Sequence, residues 1–252
     1  MTAPLFLLEP GDLTGATAGG SLVLGGAEGR HAATVRRLGV GERLDVADSA
    51  GVLARCTVAA VVMSGRRAEA LRLDVHEVVE VPEPALRLVL VQALAKGGRD
   101  DLAIETATEL GVDEVVPWQA SRCVVVWRGE RGDKARASWL GTVRAAAKQS
   151  RRPRVPAVSG VVTTPALAAR VTAAALTVVL HEEATTPLAS VPLPDSGEVL
   201  VVVGPEGGIA PDELASLTAV GAVAVRLGEH VLRSSTAGPA AIAVLSAGAR
   251  WR

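Results

Sequence analysis

The sequence predicts an α/β protein in two parts, a small β-barrel followed by a parallel sheet covered on both faces by helices. Three observations carry this. From Met1 to about Asp74, short strand-like segments alternate with Gly-rich or polar turns, the pattern of a small barrel. A joint follows, Val81-Pro82-Glu83-Pro84, where proline stiffens an extended connector and discourages helix. Beyond it, strands alternate with helices, which implies a parallel sheet. The domains are therefore expected over residues 1–78 and 79–252.

In the first part, strands are predicted over Pro4–Leu8, Ser21–Leu24, Arg43–Ala47, Val52–Val62 and Ala68–Val75. Asp48-Ser49-Ala50-Gly51 supplies a hairpin turn, with glycine available for positive φ. One helix is expected over His31–Leu38, closed by Gly39 and Gly41. In the second part, the mainly apolar run Leu86–Leu94 reads as a strand buried on both faces. Helices are expected over Asp100–Leu110, Lys134–Ser150, Pro165–Ala174, Pro211–Val220 and Thr236–Arg250, the last with Thr236 as N-cap. Strands are expected over Glu114–Pro117, Cys123–Trp127, Leu176–His181, Val199–Gly204 and Ala222–Leu227. Cys123 then reads as strand packing.

Composition narrows the function. The 252 residues are 49% hydrophobic and 21% charged, ordinary for a folded soluble chain. With no Tyr, one Phe and four Trp, a base-stacking platform for single-stranded RNA is not expected. The formal net charge of −1 excludes a generally cationic protein, but local basic faces remain possible. Cys56 and Cys123 form no C-x-x-C or Cys/His cluster, so neither a metal site nor a disulfide framework is expected. Two reduced thiols fit a cytoplasmic protein. No apolar stretch approaches the about 20 residues that span a bilayer, and the N-terminus lacks the basic region of a signal peptide.

Three strand ends carry unusual loops. After Val199–Val203 comes Gly204-Pro205-Glu206-Gly207-Gly208-Ile209, with a helix starting just beyond. Glycines let a ligand approach backbone groups at the carboxyl end of a parallel sheet. The pattern is neither the dinucleotide fingerprint nor a P-loop, and a glycine turn alone is also a plain strand-to-helix turn. After Val225–Leu227 comes Gly228 through Leu232-Arg233, and the final helix follows. Arg233 near a helix start opposes the helix dipole, which favours another use for its charge. Leu180-His181-Glu182-Glu183 forms the third strand end, and together the three suggest one composite pocket.

Basic residues cluster in three places: Lys148-Gln149-Ser150-Arg151-Arg152-Pro153-Arg154; Arg30, His31, Arg36 and Arg37; and Lys96 with Arg99. Such runs are often only solvated surface, but three of them in a chain of net charge −1 point to a polyanion partner.

Gly204-Pro-Glu-Gly-Gly208 followed by Leu232-Arg-Ser-Ser-Thr-Ala237 resembles the RsmE family, the 16S rRNA uridine N3-methyltransferases. Val35-Arg-Arg-Leu38, Thr108-Glu-Leu-Gly-Val112 and Lys148-Gln-Ser150 match the same pattern in order, so the resemblance covers nearly the whole chain. Thr106 and Ser235 depart from it, where the family often has Lys and Glu. The resemblance implies a PUA-like N-terminal barrel that holds RNA, and a C-terminal SPOUT α/β domain with a parallel sheet and a trefoil knot. It implies a homodimer with each pocket beside the interface, and 16S rRNA of the small ribosomal subunit as partner. The implied cofactor is S-adenosyl-L-methionine, held by Leu180, His181 and Glu182, by Val203 through Ile209, by Leu227, Gly228, Val231 and Leu232, and by Ala237, with no metal. Arg233 would stabilise charge on the uracil oxygens, and Glu206 would act as base or proton relay. RNA would meet Arg30, His31, Arg36, Arg37, Lys96, Arg99, Lys148, Gln149, Arg151 and Arg152. Two rival readings are a related enzyme acting on a ribose 2′-oxygen, and a non-catalytic RNA-binding assembly factor.

Overall fold

The computed structural model describes residues 3–251. The chain separates into two compact units. The first holds the described residues up to Glu83 together with Ala147–Val155, and the second holds Pro84–Ala146 and the chain from Pro156 onward.

The first unit is built on a five-stranded sheet. It comprises β1 (Leu5–Leu7), β2 (Ser21–Leu24), β3 (Arg43–Ala47), β4 (Val52–Ser64) and β5 (Arg67–Glu80), in the order β1-β3-β4-β5-β2. All pairings are antiparallel except β1 with β3. Register shifts at Arg55/Cys56, Val58/Ala60 and Val62/Met63 interrupt the β4–β5 ladder. Such bulges bend a strand, and all five strands give side chains to one core, among them Phe6, Leu24, Leu44, Val58, Leu71 and Leu73.

The helix of this unit differs from the sequence expectation. It begins earlier, as α1 (Gly26–Arg30), and continues as a π-helical turn over His31–Val35. Arg37, in the left-handed region at φ 54°, ends it rather than a glycine. Ala32 and Leu38 are buried on the sheet side, so tertiary packing decides where the turn widens. The segment 147–155 closes this unit. The Val155 amide donates to the Ser49 carbonyl at 3.0 Å, and Arg154 reaches Glu83 at 3.3 Å and the Val81 carbonyl at 2.8 Å.

The second unit carries a wholly parallel sheet of β6 (Leu86–Ala93), β7 (Glu114–Gln119), β8 (Ala157–Val158), β9 (Val162–Thr163), β10 (Leu176–Leu180), β11 (Gly197–Val203) and β12 (Val223–Val225). Their order is β12-β10-β11-β6-β7-β8, with β9 also beside β7. The helices are α2 (Arg99–Glu109), α3 (Gly129–Gln149), α4 (Thr164–Ala173), α5 (Pro211–Ala219) and α6 (Ser234–Ala249). One sheet face packs Val89, Val91, Val116, Trp118 and Val202 against α4 and α5 through Leu167, Val171 and Leu217. On the other face, α6 meets β6 and β11 and packs along α2. Among the described residues, no helix is long and apolar enough to cross a membrane.

The strand expected over Cys123–Trp127 does not form. The edge of β7 is already taken by β8 and β9, two short strands that the sequence reading missed. The segment is instead a loop, with Val124 and Val126 exposed. The Gln119 amide grips it, donating to the Val125 carbonyl at 2.9 Å and accepting from the Trp127 N–H at 3.1 Å. Cys123 is half-buried in that loop rather than packed in a strand, and burial raises its thiol pKa.

The chain after β12 is held at two places by the segment 181–196. The Arg226 amide donates to the Thr186 carbonyl at 3.0 Å, and the Leu188 amide to the Arg226 carbonyl at 2.9 Å. Further on, Gly248 of α6 lies against Leu193. The segment 181–196 thus contacts the chain both just after β12 and along α6.

At the amino ends of the strands, Glu114 is clamped by charge. Arg170 of α4 reaches both its oxygens at 2.7 Å, and Arg87 of β6 reaches one at 3.2 Å. The same two arginines hold Glu198 of β11, at 2.6 Å from Arg87 and 3.1 Å from Arg170. Arg250, just past α6, pairs with Asp113 and donates to the Leu86 carbonyl, and reaches the Gly111 carbonyl at 2.7 Å.

Candidate active site

Strands β12, β10 and β11 are neighbours, and their last residues lie level: Leu180 opposes Val225, and Val179 opposes Val202. Their three following loops therefore open side by side at the carboxyl end of the sheet, where ligands bind in α/β folds. There they enclose a cavity of about 440 Å³, within the usual range for small-molecule sites.

The cavity wall contains Leu180, His181 and Glu182 from the first loop. Val203, Gly204, Pro205, Glu206, Gly208 and Ile209 come from the second, and Leu227, Gly228, Val231, Leu232, Arg233 and Ala237 from the third. Of the residues expected to hold cofactor, Gly207 alone is not in the wall. The sequence reading missed Val225, Arg226 and Ser234, and placed Arg99 with the RNA contacts, yet all four line the cavity, beside Glu229 and His230 of the expected Leu227–Leu232 loop. Their place beside the motif residues in the third loop was the available signal; Arg99 had none, since α2 brings it in from far along the chain.

The second loop needs its glycines. A Cβ on Gly204 would lie 2.6 Å from Ile209 Cγ1, and Gly208 turns the chain at φ 74°. Both features leave backbone groups, rather than side chains, facing the cavity. Glu206 does not point to an idle carboxylate. Arg99 donates to it at 2.8 Å. Burial pushes its carboxyl up, but its own backbone N–H, Arg99 and the Lys96 N–H outweigh this and hold it below the ordinary carboxylate range. The Arg99 pairing ties the glycine loop to the start of α2, and Glu206 stays in the cavity wall beside it.

In the third loop, Arg233 rather than Thr236 is the N-cap of α6, and its carbonyl accepts from the Thr236 and Ala237 amides at 2.8 and 2.9 Å. Its guanidinium is free of that duty and lies at the exposed mouth. Ser234 begins the helix, and its Oγ is buried without a hydrogen-bond partner. An orphaned hydroxyl in a cavity wall is a place for a ligand atom. Among the described residues, no three His, Cys, Asp or Glu side chains are grouped as a metal ion would need.

The remaining basic residues, Lys96 apart, sit in the first unit. Arg30, Arg36 and Arg37 are exposed on α1 and the turn after it. His31 packs edge-on to Phe6, with ring centroids 6.1 Å apart. Lys148 lies over the same Phe6 ring at 4.8 Å and pairs with Glu28 at 2.7 Å. Two clusters distant in sequence thus meet on one aromatic ring, and Lys148 is partly consumed by internal pairing. Gln149 and Arg151 are exposed, the latter at φ 60°, and Arg152 is half-buried. Lys96 is exposed beside the second unit's cavity loop.

A parallel sheet with a glycine-loop pocket, a looped-over final helix and a separate small β unit is the architecture of the SPOUT RNA methyltransferases. A family model described as RNA methyltransferase domain matches residues 82–246, and one described as RNA methyltransferase PUA domain matches residues 24–61. The chain belongs to the ribosomal RNA small subunit methyltransferase E family. The protein of that name from Mycobacterium tuberculosis is 49% identical over 258 residues, covering 100% of this chain and 94% of its own. The one from Bacillus subtilis is 30% identical over 230 residues, covering 88% of each. The structure of a Legionella pneumophila protein in complex with the cofactor SAM superimposes with a TM-score of 0.83 at 26% identity, covering 99% of both chains.

Proposed function

We propose that this enzyme transfers a methyl group from S-adenosyl-L-methionine to N3 of a uridine in 16S rRNA of the small ribosomal subunit. The observation that carries the reading is the cavity at the ends of β10, β11 and β12, whose wall combines backbone-presenting glycines with the orphaned Ser234 hydroxyl. These features suit the cofactor, which needs amide partners for its adenosine part and polar groups for its amino-acid part. When bound, it supplies an activated methyl on a sulfonium, so the protein's task is binding and orientation.

The residues then divide the work. The loops at Leu180–Glu182, Gly204–Ile209 and Leu227–Leu232 fix the donor. Arg233 at the exposed mouth stabilises negative charge on the uracil carbonyl oxygens as the N3 proton passes to solvent and the methyl bonds to N3. Glu206, tied to Arg99, keeps the glycine loop in place rather than taking that proton. Arg30, Arg36, Arg37, Gln149, Arg151 and Arg152 supply the cationic surface that attracts RNA phosphates. A ribose 2′-oxygen target and a non-catalytic binding role are the rival outcomes.

We read the active form as a homodimer in the cytoplasm. Leu102 on α2, Val244 on α6, and Val231 and Leu232 at the cavity mouth are exposed apolar side chains, and a second copy covering them would complete the pocket's apolar rim. The deciding experiment incubates small subunits from cells lacking the enzyme with purified protein and methyl-labelled cofactor, then maps the label by digestion and mass spectrometry. Label at one uracil N3 is expected. Label on a ribose oxygen would reassign the target, and no label with cofactor binding intact would move the substrate to another RNA.

Ser234→Ala is expected to weaken cofactor binding by about 1 kcal/mol, roughly fivefold. Titration calorimetry measures it, and an unchanged affinity would remove the hydroxyl from the binding set.

A further inference from the structure

The glycine loop is also held from behind, by a residue outside the cavity wall. Arg122 lies in the loop after β7, and its Nη1 donates to the Gly207 carbonyl at 2.9 Å. Gly207 is the member of Gly204–Gly208 that does not face the cavity. The next amide, Gly208 N–H, donates to the Pro205 carbonyl at 2.9 Å. The peptide joining Gly207 and Gly208 is therefore gripped at both its oxygen and its nitrogen, which fixes its plane. The fit is close: a Cβ on Gly207 would lie 3.5 Å from Arg122 Cβ.

Arg122 itself has a firm base. The preceding Ser121 donates both its N–H and its hydroxyl to Glu213, at 2.9 and 2.8 Å. Glu213 is the third residue of α5, only 5% exposed, and also accepts from the Thr164 hydroxyl at 2.6 Å. Trp118 Nε1 donates to that hydroxyl at 3.2 Å. The loop after β7 is thus tied both to the first turn of α5, through Ser121, and to the middle of the segment that joins β11 to α5, through Arg122. With Arg99 holding Glu206, the loop is braced by arginines from two different strand ends.

We propose that Arg122 is a positioning residue for the cofactor: by holding the Gly207 carbonyl, it sets the peptide planes that the glycine loop turns towards S-adenosyl-L-methionine. The inference rests on the cofactor reading given above. A hydrogen bond from a charged donor to a carbonyl is of the stronger kind, and its loss would let the loop sample orientations that present the wrong groups to the ligand.

The test uses the full chain as wild type, R122A and R122K, with S-adenosylmethionine and S-adenosylhomocysteine as probes. R122A is expected to raise the Kd of both about fivefold and KM for the methyl donor alike, with kcat at saturating donor changed by less than about twofold. R122K, which keeps a cationic donor, is expected to recover part of the affinity. The melting temperature of R122A should match wild type, since Arg122 is exposed. Wild-type affinity in a folded R122A overturns the proposal. Should R122A lose its fold, R122Q, which keeps a shorter donor, is read by the same two constants. If wild type itself binds neither probe, the cofactor reading fails instead, so the two failures are separable.

Discussion

Arg233→Ala is expected to keep its cofactor affinity and to lose methyl transfer by about 10²–10³-fold, the usual cost of removing one donor aimed at developing charge. Two features make this substitution clean. The helix cap is supplied by the Arg233 carbonyl, which accepts from the Thr236 and Ala237 amides, so truncating the side chain leaves the start of α6 intact. Arg233 is exposed and lines the cavity from the third loop. Its loss should therefore appear in kcat with labelled ribosomal subunits, while calorimetry with the cofactor alone stays near wild type. Equal loss of cofactor affinity would instead make Arg233 a ligand-binding residue, and an unchanged rate would remove it from the chemistry. Arg233→Lys should recover little, because a point charge cannot serve two carbonyl oxygens as a planar fork does.

The largest stability effect is expected at the opposite end of the sheet. Arg170→Ala should destabilise the protein by about 3 kcal/mol, since breaking a buried pair leaves its partner without compensation. Glu114 is that partner, with its side chain 8% exposed. Burial pushes its carboxyl up, but the hydrogen bonds from Arg170 and Ser159 and the charges of Arg170 and Arg87 outweigh this and hold it low. The sign of the pH effect follows. A carboxylate with a lowered folded pKa adds stability that is complete above its unfolded value and disappears as the pH falls through the folded one. Wild type should thus lose this contribution on acidification, and Arg170→Ala should show a shallower acid limb in urea unfolding at a series of pH values. A variant as stable as wild type at neutral pH would show that Arg87 and Ser159 together satisfy Glu114.

Much of this was written locally in the sequence. The run Leu86–Leu94 forms a central strand because, Arg87 and Gln92 apart, its side chains are apolar on both faces, and a buried parallel strand needs no alternation. The glycine loop was legible because Gly204 and Gly208 meet steric demands that no other residue satisfies. The sheet order was not legible: β10 lies between β11 and β12, a matter of how distant segments pair. The segment at Cys123–Trp127 has strand-forming residues but finds the edge of β7 occupied, so tertiary competition overrides propensity. The contacts that refine the site were equally hidden. Arg99 with Glu206, Arg122 with Gly207 and the orphaned Ser234 hydroxyl all depend on three-dimensional neighbours, and composition carries no trace of them. The extra helical turn before His31 escaped because α1 contains Gly26 and Gly29, which are poor helix formers, and only the burial of Gly29 against the Leu24 carbonyl accounts for it.

The return of Ala147–Val155 to the N-terminal unit sets the order in which the newborn chain can mature. A nascent polypeptide emerges from its N-terminus, and domains tend to fold as they appear. Here the first unit cannot close at Glu83, because the strap that pairs Arg154 with Glu83, Lys148 with Glu28 and Val155 with Ser49 has yet to be synthesised. The main core of the five strands is complete by Val78, but the small cluster of Leu5, Leu7 and Ala47 lacks Val155 until part of the second unit has been made. Completion of the small unit is thereby scheduled late in translation, and a ribosome stalled near the proline joint would hold the sheet without its strap.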